Sequence, residues 1–193
     1  MKRNVVRAVF AAILLAAFIV RVYFVNVNGK SPIISKFEKG AIVPVEDNYF
    51  WKSGENMDGY TVQVTGSQFL SLDEFVGMYQ VDTDEFDLVC ENLLLVTVSF
   101  EKTVDQGGEE DGIDLRRYTL MGTDYCLTIS SSAFMAVNPD MPGMMFSLIP
   151  GKPMEIVLPF AVYSSYVSLD HIKGDMPLME ICAYPEMKLV GIC

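Results

Sequence analysis

An unbroken apolar run from Ala8 to Val20 opens the chain, preceded by Lys2, Arg3 and Arg7 and followed, after Arg21, by further apolar residues as far as Val27. Basic residues ahead of an apolar run form the order that export machinery reads as a signal or signal anchor. The run alone falls short of a hydrocarbon core about 30 Å thick, but Val5 to Val27, at about 1.5 Å per residue, reaches about 34 Å. Arg21 then lies near a helix end, where its guanidinium can snorkel to the headgroups. Residues 1–27 are therefore expected to be a signal anchor or transmembrane segment. No A-x-A cleavage pattern and no lipobox cysteine follow the run, which favours an uncleaved anchor with the basic end in the cytoplasm. The alternative is a signal cleaved after Gly29, which would release the remainder as a secreted protein.

Beyond the anchor the pattern changes twice. Residues 28–39 are polar, with Ser31-Pro32 and mixed charges, and read as a tether. From residue 40 the apolar positions follow a strand-like period. Ala41–Val45 is a short strand candidate, at an edge because Pro44 cannot donate to a ladder. The turn residues Gly54 to Gly59 precede Tyr60, Val62 and Val64, which alternate with Thr61, Gln63 and Thr65 as in a half-buried strand. Leu72, Phe75, Val76 and Tyr79 recur at helical spacing behind Ser71 and Glu74, a capping-box pair, and predict one short surface helix. Leu93–Phe100 is almost wholly apolar and predicts a central strand buried on both faces. Further strands are expected at Leu115–Met121, Tyr125–Ser130, Met144–Ile149, Glu155–Val162, Met179–Tyr184 and Lys188–Ile192. Short strands separated by turns indicate a β-sandwich or barrel more than a βαβ fold.

Charge narrows the partners. The chain has 14 Lys+Arg against 25 Asp+Glu, a net charge of −11. Because Lys2, Arg3, Arg7 and Arg21 precede the first acidic residue, Glu38, the remainder has ten basic residues against 25 acidic ones, or −15. Such a surface repels phosphates, so no nucleic-acid partner is expected. Cys90, Cys126, Cys182 and Cys193 are too scattered for a disulfide scaffold or a C-x-x-C zinc site, and their pairing stays open.

The candidate chemistry is sparse. His171 is the only histidine, which removes two-histidine metal motifs, and although Asp170 stands beside it, no G-x-S-x-G elbow accompanies the pair. It reads as an exposed loop histidine. A sortase-like pairing of Cys182 with His171 fails because the sequence around Cys182 lacks the T-L-x-T-C pattern and the histidine stands too close in the chain. The acidic run Asp82 to Asp87 lacks the glycine and terminal glutamate of a calcium loop, and Asp105, Glu109 and Asp111 read as a solvated, glycine-rich excursion. Met141 to Phe146 is apolar and flexible, suited to filling a small core or to adaptable contact. No catalytic residue, no cofactor-binding residue and no metal ligand is assigned, and no cofactor is expected.

Three short segments resemble a family of membrane-anchored bacterial ectodomains, Gram-positive in origin and known as domains of unknown function. They are Glu55-Asn56-Met57-Asp58-Gly59-Tyr60 ahead of a strand, Glu74-Phe75 with Tyr79 in the helix, and Gly151-Lys152 ahead of Leu158-Pro159-Phe160. The resemblance covers most of residues 40–192 and implies an immunoglobulin-like antiparallel β-sandwich, its glycine-lysine turn feeding a late strand that packs on the core. It implies no catalytic residues.

The expectation is thus a mainly β protein: an anchor at 1–27, a tether at 28–39 and a sandwich domain at 40–193. Its expected role is a non-enzymatic interaction or binding module of the cell envelope. It would be held on the cytoplasmic membrane by the N-terminal helix and contact an envelope protein or small ligand through strand edges or loops. An accessory or sensor subunit of an exported enzyme or transporter is the alternative, with an independent enzyme third.

Overall fold

The computed structural model describes residues 2–28, 33–52, 55–81, 90–103 and 112–193. The chain forms two units, Met1–Pro32 and Ile33–Cys193. The first is a single helix, α1 (Lys2–Asn28), of 27 residues, about 40 Å long at 1.5 Å per residue. Its segment Phe10–Val27 has a mean hydropathy of 2.2 and buries none of its residues. The helix is long and apolar enough to span a membrane or to act as a signal anchor.

The second unit is mainly β. Its strands are β1 (Ile33–Phe37), β2 (Ile42–Pro44), β3 (Tyr60–Ser71), β4 (Asn92–Lys102), β5 (Ile113–Asp114), β6 (Thr119–Met121), β7 (Cys126–Thr128), β8 (Met145–Phe146), β9 (Met154–Val162), β10 (Leu178–Cys182) and β11 (Glu186–Gly191). Three short helices, α2 (Leu72–Tyr79), α3 (Ser131–Val137) and α4 (Leu169–Gly174), lie between strands. Among the described residues the strands form a five-stranded sheet, β1-β11-β10-β6-β7, a four-stranded sheet, β2-β3-β4-β9, and the small pair β5-β8.

One apolar core joins the two large sheets. Val62, Val96, Val98 and Leu158 from one sheet share a buried cluster with Leu120, Met179, Ile181 and Val190 from the other. β4 is central, paired with β3 along its whole length and with β9 on its other side. Its run Leu93–Val96 is buried throughout, and the reason is a second cluster: Leu94 and Val96 point into the main core, whereas Leu93 and Leu95 pack with Phe75 of α2 and Ala133 of α3. This half of the strand is therefore covered on both faces, as its composition predicts, whereas from Thr97 to Lys102 half-buried and buried positions alternate. The capping box at α2 is also present, the Ser71 hydroxyl accepting from the Glu74 N–H and the Glu74 carboxylate accepting from the Ser71 N–H.

The outer edge of β9 is occupied. β9 is an edge strand, which accommodates Pro159; its outer side meets Ile129 in a bridge to Phe160 and the Ser130 N–H, which donates to the Pro159 carbonyl at 2.8 Å. Further along, the Asn138 side chain donates to the Val157 carbonyl (2.8 Å) and accepts from the Val157 N–H (3.2 Å), much as a neighbouring strand would. At the opposite end the chain passes directly from β1 in one sheet to β2 in the other, through a turn in which Gly40 takes a φ of 85° that a side chain would resist.

Four expectations change. The tether expected at 28–39 gives way at Ile33, because β1 pairs in parallel with β11, Ile33 opposite Glu186; the partner strand lies far along the chain and leaves no local signature. The strand expected at Leu115–Met121 begins instead as a 3-10 turn, Leu115–Arg117, whose Arg116 N–H donates to the Asp114 carboxylate. The strand at Met144–Ile149 contracts to the two residues of β8. One short surface helix becomes three: α3 and α4 each begin at a serine, Ser130 and Ser168, whose hydroxyl accepts an N–H of the first turn. The acidic run at 82–87 and the excursion at 105–111 lie outside the described residues.

Candidate functional site

Two elements far apart in sequence face one another across a cleft. The first is the turn between β6 and β7, closed by the Gly122 N–H donating to the Tyr125 carbonyl at 2.9 Å. A Cβ on Gly122 would fall inside the Tyr125 ring, so glycine is what allows that ring to fold over the turn. The second is the segment from the end of β9 into α4. There the Tyr166 and Val167 N–H groups donate to the Tyr163 carbonyl, the Ser168 hydroxyl accepts from the His171 N–H at 3.2 Å, and fully buried Ile172 pins the helix to the core.

Between them lies a cleft of about 410 Å³ walled by Tyr125, Tyr163, Tyr166, Cys126 and Val167, with Asp124 at its margin. A smaller recess of about 230 Å³ shares Asp124, Tyr125, Tyr166 and Val167 and extends to Ser168 and His171. Tyr163 and Tyr166 stand edge to face with ring centroids 6.0 Å apart, and Tyr166 is 86% exposed. An aromatic that exposed gains nothing for the core and is free to stack on a ligand.

His171 Nε2 lies 2.8 Å from Asp124 Oδ1, and the Tyr125 ring packs against the imidazole at 5.7 Å. Asp175, one helical turn after His171, accepts the Thr123 N–H at 2.8 Å. That bond, reinforced by the Thr123 side chain and by His171, holds the Asp175 carboxyl below its ordinary range. The Tyr125 hydroxyl donates to the Asp175 carbonyl; partial burial and the neighbouring Asp175 and Asp124 carboxylates push the phenol up to about 12, so it stays protonated and remains a donor. Asp124, His171 and Asp175 each offer a ligand atom within 4.8 Å of the others, and among the described residues this is the group able to hold a metal ion.

A larger groove, about 530 Å³, runs past Asp47, Asp58, Pro185 and Glu186. Several of its polar groups already serve the fold. The Lys188 ammonium binds Glu46 and donates to the Pro44 carbonyl, and Asn48 bridges the Val45 carbonyl and the Glu186 N–H. It lacks the aromatic walls of the smaller cleft.

The residues singled out in the sequence fall as follows. His171 is exposed but helical, not in a loop, and its partner is Asp124 rather than the adjacent Asp170. Cys182 is buried in β10, and burial pushes its thiol up to about 11, which makes it a poor nucleophile. Burial likewise raises the Cys90 thiol. All four cysteines are free thiols, with Cys126 and Cys193 exposed. Met141, Met144 and Phe146 pack against the core margin, while Met145 is 56% exposed. Two residues not singled out in the sequence, Ser99 and Lys102, share the S-x-x-K spacing of serine–lysine hydrolases, but both lie in β4, where residues three apart point to opposite faces. Sequence reasoning missed the Asp124–His171–Asp175 group. The His171 and Asp175 spacing of four was a usable signal; Asp124, 47 residues upstream, left none.

Residues 34–188 match the family described as "Domain of unknown function (DUF5028)". The chain belongs to that family. No curated protein and no solved structure matches it. The DUF5028 region begins within β1 and ends within β11, so it takes in part of each strand of the parallel pair and every residue of the cleft, while α1 stands ahead of it.

Proposed function

We propose that the protein is a membrane-anchored, extracytoplasmic binding module of the cell envelope, non-enzymatic, whose contact site is the tyrosine-walled cleft beside Asp124. The observation that carries this reading is the set of three tyrosines and a carboxylate around an open cleft of about 410 Å³. Such a surface suits a ligand, or a protruding group of an envelope protein, that stacks on aromatic faces and offers a donor or a cation to the carboxylate. The cleft rather than a sheet edge is the proposed contact because Asn138, Ile129 and Ser130 already occupy the outer side of β9.

Placement outside the cytoplasm is supported by Lys2, Arg3 and Arg7 in the first turns of α1, ahead of its apolar run, in accord with the positive-inside rule. The architecture is proposed to be immunoglobulin-like in the broad sense: two sheets close on one core and the first and last strands pair in parallel. Its strand order is its own, since β2, β3 and β4 follow one another within a single sheet, whereas an immunoglobulin sheet interleaves them.

A photo-crosslinking amino acid at position 166 of the anchored protein, in living cells, tests the reading. It should capture a discrete adduct that Tyr163→Ala and Asp124→Asn diminish and that a crosslinker at Lys152, on the remote turn before β9, does not form. Identical adducts from both positions, or none at 166, would overturn it.

A further inference from the structure

We propose that Asp124, His171 and Asp175 form a binding site for a divalent first-row transition cation, zinc being the reference member, at the α4 end of the cleft. The inference deepens the reading of the cleft as a binding site and rests on it.

Three observations carry it. The first is the donor set: one imidazole nitrogen and two carboxylates within 4.8 Å of one another. Ligands of a single zinc ion lie about 2.0–2.2 Å from the metal, hence roughly 3 to 4 Å from each other. The 2.8 Å contact between His171 and Asp124 need open by only about half an ångström, and side-chain exposures of 47% and 69% leave both free to make that adjustment. An imidazole among the donors favours zinc, copper, iron or nickel over calcium and magnesium, which prefer oxygen alone.

The second is that the less exposed ligand is already held. The Thr123 N–H fixes the Asp175 carboxylate and Tyr125 ties the Asp175 carbonyl to the facing turn. These outer contacts resemble the supports that orient ligands in metal sites. They also join the two elements that must stay together for Asp124, from the turn, to meet His171 and Asp175, from the helix.

The third is the position. Three protein ligands leave coordination places for water or a ligand atom, and two of the three, Asp124 and His171, line the recess together with Tyr125, Tyr166 and Ser168. A cation there would give the cleft a charged anchor in an otherwise acidic domain, a binding role that needs no chemistry at the metal.

The test uses the full chain in detergent micelles and zinc chloride as the probe. Because the sequence contains a single histidine, the ring resonances of His171 report without ambiguity. Zinc should shift them to saturation at one equivalent, and cobalt(II) should displace them paramagnetically. Asp124→Asn and Asp175→Asn should each weaken zinc binding, read at those resonances, by about tenfold or more, whereas Asp170→Asn, adjacent in sequence but outside the cluster, should leave it unchanged. Asn at 175 keeps an acceptor for Thr123, and an unaltered melt checks that the variant folds. His171 resonances that stay in place under excess zinc, or an Asp170→Asn effect equal to that of Asp124→Asn, would overturn the proposal. Crosslinking from position 166 without added metal separates that failure from a failure of the cleft itself.

Discussion

Glu55 sits in a loop yet its side chain is only 4% exposed, with an ion pair to Arg117 at 2.7 Å. Burial alone would raise the carboxyl, but the N–H groups of Phe50, Trp51 and Lys52, together with Arg117, outweigh it and hold the pKa below its ordinary 4.5. Arg117 in turn lies over the Trp51 ring, 5.4 Å from its centroid, so one carboxylate organises the loop ahead of β3. Glu55→Gln keeps the shape but loses the charge that these donors face, and should cost about 2 kcal/mol near neutral pH, read by denaturant titration. A depressed carboxylate pKa contributes stability that is present above the unfolded value and is lost as pH falls through the folded value. The wild-type advantage should therefore fade below pH 4.5, and the two proteins should converge in acid; an equal gap at acid and neutral pH would assign Glu55 a role other than its charge.

The elements differ in how visibly the chain declares them, for physical reasons. The first half of β4 is legible because both of its faces are buried, so its residues must be apolar whichever way they point. α2 is legible because it carries a full capping box and an apolar face. By contrast α3 and α4, of seven and six residues, are too short to establish a helical period, and each is signalled by one capping serine. β1 stayed hidden because what makes it a strand is β11 at the other end of the chain. The candidate site has the same division: the spacing of His171 and Asp175 is local and readable, while Asp124 and the tyrosine walls are assembled by the fold. Asn138, just after α3, seals the edge of β9 by pairing with both backbone groups of Val157. Asn138→Ala would leave those groups unpaired at an open edge and should destabilise the protein by about 2 kcal/mol while raising its tendency to aggregate. Thermal melts with light scattering read both; an unchanged melt and no scattering would mean that the edge needs no cover.

At the scale of the molecule, a helix whose first turns are basic and whose remainder is apolar is joined to an acidic β domain whose cleft is the proposed contact site. That arrangement makes the four free thiols into reporters, since Cys126 lines the cleft and Cys193 ends the chain, both exposed, while Cys90 and Cys182 are buried. The most direct measurement is labelling of intact cells with a membrane-impermeant maleimide, followed by peptide mass mapping. Cys126 and Cys193 should be modified from outside, with Cys126 the slower of the two whenever the cleft is occupied, and Cys90 and Cys182 should stay unmodified until the protein is unfolded. Labelling that appears only after the membrane is permeabilised, or that reaches Cys90 and Cys182 as readily as Cys126, would contradict the account.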